Sequence, residues 1–253
     1  MIDTHCHLTD PRLGDQIHDV LSRAATARVH QMITISTSIA DAMDCIELCK
    51  KHSQLKCSVG VHPNYVADED ENLLPQLRQL QANENVVAIG EIGLDYHYGR
   101  EHRDRQFRFF HAQMEIAREF SRPVVIHCRE AVDDALDVLK NYPTVRCVFH
   151  CYTGTLAESK RILDAGYLLG FTGPITYKKS DDLREIVKQC PMDRLVIETD
   201  APYLSPEPMR KFKTNEPAWV SYVGQEVATI KGMSIDQIDE VTTKNAKQFF
   251  GIK

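Results

Sequence analysis

Apolar residues along the chain gather into short β-rich runs, each followed by a longer stretch in which they recur at helical spacing. The runs are MIDTHCH (1–7), QMITIST (31–37), KCSVGVHP (56–63), VVAIGEIGLD (86–95), PVVIHCR (123–129), RCVFHCY (146–152), YLLGFTG (167–173) and RLVIETDAP (194–202). Between them, 40–51, 103–121, 131–141 and 155–165 carry apolar residues every three or four positions, as amphipathic helices do. In TLAESKRILDAG, Thr155 supplies a start signal and Gly166 a stop. Alternating strands and helices predict parallel βαβ units. Eight units in about 250 residues match the count and length of a (β/α)8 TIM barrel, an α/β fold, although a doubly wound open sheet uses the same alternation. No linker or low-complexity tract divides the chain, so residues 1–253 read as a single domain. The stretch after 217 would form the last helix and a C-terminal helical extension.

Charge and cysteine content narrow the function. Thirty Lys and Arg stand against 36 Asp and Glu, a net charge of −6. That balance excludes a large basic surface holding nucleic acid mainly by phosphate contacts, so a phosphorylated substrate would need locally concentrated positive charge. Neither a membrane-length apolar run nor a charged-then-apolar leader precedes the first strand. The eight cysteines lie mostly inside apolar runs rather than in a compact disulfide framework, which reads as reduced thiols in a cytoplasmic protein.

Barrel chemistry sits at the C-terminal ends of strands, and each apolar run here turns polar only in its last residues. His5 and His7 end the first run and His62 the third, while Glu91 and Asp95 lie at the end of the fourth. His127 and Arg129 end the fifth, His150 the sixth, and Glu198 and Asp200 the eighth. Side chains alternate along a strand, so His5 and His7 share a face and Cys6 takes the other. The pairs His127-Cys128 and His150-Cys151 repeat this order, with the small cysteines suited to the layer between strands and helices. Four imidazoles and two carboxylates remain: His5, His7, His127, His150, Glu91 and Asp200. Six ligands exceed what one small divalent ion uses and suit two ions sharing a bridge. Zn²⁺, Mn²⁺ or another first-row ion fits this set; Mg²⁺, which prefers more oxygen and water, fits less well.

IDTHCHL, GVHP, AIGEIGLDY, PVVIHCREA, FHCYTG and VIETDAPYL, in this order and spacing, resemble the TatD family of metal-dependent hydrolases. The resemblance covers essentially the whole chain, including TNEP at 214–217 and VTTKNAKQFFGI near the C-terminus. It implies an amidohydrolase-like metal-dependent barrel in which His5, His7, Glu91 and Asp200 hold one ion and Glu91, His127 and His150 the other. Glu91 then stands where other barrels of the superfamily carry a modified lysine. It also implies deoxyribonuclease activity, including removal of nucleotides from DNA ends. CYTG replaces an aromatic Phe and Ser found in many members, and PMRKFKTNEP is more basic than its surroundings, either as a phosphate-contacting loop or as an exposed solvated one.

The expected reaction is hydrolysis of a phosphodiester by a metal-activated water, with Asp200 orienting that water and accepting its proton. Glu91 joins Asp200 and His62 as a catalytic candidate, and His62, Asp95 and Arg129 are candidates either to bind substrate or to support the ligands from behind. Arg129 can give a phosphate two hydrogen bonds; His62 either positions the leaving oxygen or orders the mouth. Glu198 would orient a ligand histidine or serve as a paired buried carboxylate. Lys178, Lys179, Arg210, Lys211 and Lys213 lie in loops on the same face, and Asn215 and Glu216 belong to a motif whose chemistry the sequence leaves unassigned. DNA is the expected substrate of a monomer without membrane attachment or an obligate protein partner. An enzyme acting on a non-nucleic-acid ester, lactone or amide, and a non-catalytic scaffold, are the alternatives.

Overall fold

A computed structural model describes residues 1–252. Eight strands occur among them: β1 (Ile2–Cys6), β2 (Gln31–Ile35), β3 (Leu55–Val59), β4 (Val86–Asp95), β5 (Val124–Arg129), β6 (Cys147–Phe149), β7 (Leu168–Phe171) and β8 (Leu195–Ile197). After β1 come α1 (Pro11–Gly14) and α2 (Ile17–Thr26). The next are α3 (Ile39–Lys51), α4 (Leu74–Leu80), α5 (Arg103–Glu119), α6 (Val132–Leu139), α7 (Leu156–Asp164) and α8 (Asp181–Gln189), one after each of β2 to β7. Two more, α9 (Val220–Lys231) and α10 (Ile235–Phe250), follow β8. The strands hydrogen-bond in sequence order, β1 through β8, and Cys6, the last residue of β1, bridges to Ala201 beyond β8. This is the sequential, self-returning topology of a (β/α)8 barrel.

The chain packs as two compact units, Met1–Thr34 with Cys151 onward, and Ile35–His150. In the second unit all ten residues of β4 are buried, and α5 packs Phe109, Phe110 and Met114 into the core. Truncating either phenylalanine to alanine would cost about 3–5 kcal/mol. Register aligns Gly93 with His127 and Asp95 with Arg129 on parallel β4 and β5. A Cβ on Gly93 would lie 2.0 Å from the His127 carbonyl oxygen, and its φ of +141° also requires glycine. The close approach of β4 to the backbone of His127 depends on that missing side chain.

In the first unit, Phe171 of β7 and Ile197 of β8 are buried, as are Val223 and Val227 of α9 and Ile238 of α10. Thr155 and Glu158 form a reciprocal capping box at the start of α7, and Ser234 and Gln237 do the same for α10. Gly166, at φ +87°, takes the chain out of α7.

Several strands end sooner than their apolar runs. β3 stops at Val59, β6 at Phe149 and β8 at Ile197, so His62, His150 and Asp200 lie just beyond the ladders. At β8 the cause is visible. The Thr199 N–H donates to the Asp3 carboxylate (2.9 Å), and Asp200 enters the left-handed region at φ +57°. No described helix is long and apolar enough to cross a membrane.

Cys6 is fully buried, with Sγ 3.4 Å from the Ile33 carbonyl oxygen. Cys6→Ser should therefore retain its divalent ions, measured by elemental analysis, because the side chain faces the neighbouring strand. A serine hydroxyl can use the same carbonyl, so the loss of stability should stay within about 1–3 kcal/mol. A folded variant missing one equivalent of metal would contradict this orientation.

Candidate metal centre

The first unit brings together His5 and His7, at the end of β1, and Asp200, beyond β8. Ring Nε2 atoms of the two histidines lie 3.3 Å apart, and Asp200 Oδ1 is 3.6 Å from His5 Nε2 and 3.5 Å from His7 Nε2. Two backbone bonds set this geometry: Asp200 N–H donates to the His5 carbonyl (2.8 Å) and His7 N–H to that of Ala201 (2.7 Å). Beneath them Asp3 is fully buried and accepts from the Thr199 hydroxyl (2.6 Å), the Thr199 N–H (2.9 Å) and the His5 N–H (3.3 Å). Burial pushes the Asp3 carboxyl up to about 8, against the pull of those three donors.

Glu198 is also buried. Its Oε1 accepts from Cys151 N–H (2.6 Å) and its Oε2 from the Thr4 hydroxyl (3.0 Å), while one of its oxygens lies within 4.8 Å of a His5 ring nitrogen. Glu198 is therefore an internal tie between Thr4 and Cys151 that also lies near His5.

The second unit centres on Glu91 of β4. Its Oε1 is 2.6 Å from His127 Nδ1, 2.6 Å from His150 Nε2 and 3.4 Å from His62 Nε2. His127 turns its other nitrogen to Asp95, with Nε2 2.9 Å from Oδ2. Asp95 also accepts from Asn64 Nδ2 (3.1 Å) and His97 N–H (2.9 Å). Burial opposes ionisation of Asp95, but His127 and these two donors outweigh it and hold the carboxyl at about 2. For His127, burial favours the neutral ring, yet Asp95 and Glu91 together raise its pKa.

His62 joins this cluster, 3.1 Å from His127 Nδ1. Burial and the neighbouring His127 lower its pKa to about 4, so its ring is neutral at pH 7. Its Nδ1 accepts the Asn64 N–H (3.0 Å), which places the single ring proton on Nε2, the nitrogen facing Glu91 and His127. His62 thus presents a donor to the cluster.

The remaining candidates separate. Arg129 is exposed, its guanidinium 5.7 Å from the centroid of Tyr98. Arg210 lies over Tyr177 at 4.0 Å and Lys211 over Phe212 at 5.1 Å. Asn215 is fully buried and donates through Nδ2 to the carbonyls of Thr199 (2.9 Å) and Tyr203 (2.6 Å), while Glu216 pairs with Arg23 (2.6 Å). The TNEP motif is therefore a clamp on the loop that leaves β8. Asn64, the donor that sets the His62 proton and braces Asp95, was not among the sequence candidates. Its position in VHPN, two residues beyond a strand-end histidine, was the available signal.

The donor chemistry fits divalent cations. In each unit imidazole nitrogens and carboxylate oxygens come within 4.8 Å of one another, in the sets His5–His7–Asp200 and His62–Glu91–His127, and neither set contains a thiolate. Cys128 and Cys151 are half-buried, and Cys151 Sγ lies 3.1 Å from the Thr172 hydroxyl.

Comparison with known proteins agrees with this chemistry. The family described as TatD related DNase matches residues 2–251. A Bacillus subtilis protein named uncharacterized metal-dependent hydrolase YabD is 35% identical over all of this chain and 99% of its own length. An Erwinia amylovora protein named 3'-5' ssDNA/RNA exonuclease TatD is 34% identical, with both chains fully covered. Among solved structures, the Escherichia coli TatD homologue YjjV superposes with a TM-score of 0.95 at 28% identity, covering 100% of this chain and 98% of that one.

Replacing Asp95 tests the carboxylate behind His127. Partners of this kind typically govern metal affinity by about 10–100-fold. Asp95→Asn should weaken divalent-ion binding by that factor in a competitive chelator titration while the fold stays intact by circular dichroism. Unchanged affinity would reduce Asp95 to a loop brace.

Proposed function

The chain belongs to the TatD family of metal-dependent hydrolases, and on that premise we propose that it hydrolyses phosphodiester bonds in nucleic acid, with DNA as substrate. The observation that carries this reading is a thiolate-free histidine–carboxylate cluster in each unit, His5–His7–Asp200 in the first and Glu91 against His127 and His150 in the second. The name of the Erwinia relative supports the substrate class. His5, His7, Glu91 and Asp200 would hold one divalent ion, and Glu91, His127 and His150 a second, with Glu91 shared. Such a pair, when bound, lowers the pKa of water and neutralises charge on phosphoryl oxygens.

The protein groups do the rest. Asp200 orients the attacking water and accepts its proton, as a ligand whose Oδ1 already faces two imidazoles. Glu91 supplies negative charge between three histidines. His62, neutral and with its proton on Nε2, can donate a hydrogen bond to the leaving oxygen, which takes its proton from water. Of the two roles open to Asp95, support of a ligand fits its contact with His127 Nε2, which keeps His127 Nδ1 available. Arg129, exposed beside Tyr98, suits a backbone phosphate at the periphery. Cysteines placed mostly inside apolar runs support a cytoplasmic location, and we take the protein to act as a monomer without a membrane or obligate protein partner.

Metal-loaded protein supplied with end-labelled single- and double-stranded DNA tests the reading. Hydrolysis abolished by chelation is expected; cleavage of an ester or lactone panel in preference to every phosphodiester would redirect the assignment. Glu91→Gln should lose more metal and activity than His5→Ala, and equal losses would argue against a shared carboxylate. Asp200→Asn keeps the shape and one weak ligand oxygen but cannot take a proton at neutral pH. It should retain most of its metal and its DNA affinity, while the single-turnover rate falls by about 10²–10⁴-fold. Near-normal turnover at full metal occupancy would remove Asp200 as the base.

A further inference from the structure

The segment that leaves Asp200 exposes large apolar side chains. Tyr203 is 45% exposed, Leu204 37% and Phe212 46%. Exposed rings on mobile loops are ordinary, but this loop is tied down. Asn215 holds the Tyr203 carbonyl, and its own N–H donates to the carbonyl of Pro202 (3.0 Å). The Ser205 hydroxyl donates to the Phe212 carbonyl (3.0 Å) and the Tyr177 hydroxyl to the Ser205 carbonyl (3.1 Å). Fixing apolar rings against water without burying them marks a binding surface.

Position and charge identify what binds. The Tyr203 N–H donates to the Asp200 carbonyl (2.9 Å), and its ring centroid is 6.0 Å from that of His7. The Arg12 guanidinium braces the ring at 4.5 Å while its charge is spent on Asp10, at 2.7 and 2.9 Å. Around Phe212 stand Arg210, Lys211 and Lys213 against Glu207, so residues 203–213 carry a net charge of +2 in a chain of −6. Exposed aromatic faces interleaved with cations bind unpaired bases and their backbone. A duplex buries its base faces in its own stack and cannot offer them.

We propose that Tyr203 is a stacking platform for the base of the nucleotide whose phosphodiester lies at His5, His7 and Asp200. Phe212, with Lys211 and Lys213, receives the adjoining single-stranded nucleotide. This rests on the phosphodiesterase reading and assigns the residues that would hold a single-stranded segment, recognised without regard to sequence because every base has a π-face.

The test compares two fluorescein-labelled single strands of equal length, one of thymidine and one of abasic residues, on metal-loaded full-length protein. Binding is read by anisotropy in an Asp200→Asn background and KM by turnover in the native background. Tyr203→Ala should weaken the thymidine strand by about 5- to 150-fold, the range for loss of one stacked base, and leave the abasic strand unchanged. Tyr203→Phe should restore binding, since the face and not the hydroxyl is used. Replacing Lys211 and Lys213 with Ala should lower the salt dependence for both strands by about 0.7 in log–log slope per lost contact. Equal weakening of thymidine and abasic strands by Tyr203→Ala would overturn the platform and leave Tyr203 a scaffold residue. If the native protein hydrolyses neither strand, the phosphodiesterase reading fails, and the anisotropy comparison still decides the platform.

Discussion

The junction between the first and last strands depends on one buried carboxylate. Asp3 has no solvent exposure, and removing an acid from water is costly unless donors replace the lost hydration. Three do: the N–H and hydroxyl of Thr199 and the N–H of His5. Because two of those donors belong to residue 199, the chain after β8 is drawn onto the end of β1 and cannot continue as a regular ladder. The next residue is Asp200, which emerges in the left-handed region with its carboxylate against His5 and His7. His5, His7 and Asp200, proposed ligands nearly two hundred positions apart, are thus brought together by the hydrogen-bonding needs of a neighbouring carboxyl group.

Much of this was legible from periodicity. The eight apolar runs became eight strands in sequential order, and the capped helix after Thr155 is present with its reciprocal Glu158 bond. The parity argument at His5-Cys6-His7 also follows from strand geometry alone, since the two rings meet and the thiol turns to Ile33. Illegible were the points where a ladder stops. Composition does not distinguish Ile197 from Thr199 as the last strand residue, because the difference lies in a side-chain acceptor supplied by Asp3. Asn215 and Asn64 were opaque for a related reason. Asn215 acts on two backbone carbonyls, and Asn64 on a ring nitrogen and the Asp95 carboxylate, partners that sequence position alone does not name.

Arg129 and Asp95 show how burial divides residues that strand register brings together. Both lie at strand ends and face each other in register, so the sequence treats them as equals toward substrate. The structure separates them by burial. Asp95 is enclosed and its carboxylate is consumed by His127, Asn64 and the N–H of His97, whereas Arg129 reaches solvent beside Tyr98, itself 74% exposed. An enclosed charge surrounded by donors orients its neighbour, and an exposed cation can meet a polyanion.

The six proposed ligands divide evenly between ladder and loop. His5, Glu91 and His127 belong to strands; His7, His150 and Asp200 come just after them. Metal centres need ligand positions fixed within a fraction of an ångström, which strands provide better than loops. Each of the three outlying residues is nevertheless held by its own backbone N–H: His7 to Ala201 (2.7 Å), His150 to Ile126 (3.0 Å) and Asp200 to His5 (2.8 Å). One ladder-like bond fixes the position of the residue, and release from the rest of the ladder lets its side chain turn away from strict alternation. That combination explains why the polar residues gather where strands end. Farther inside, alternation would dictate their direction, and farther out nothing would hold them in place.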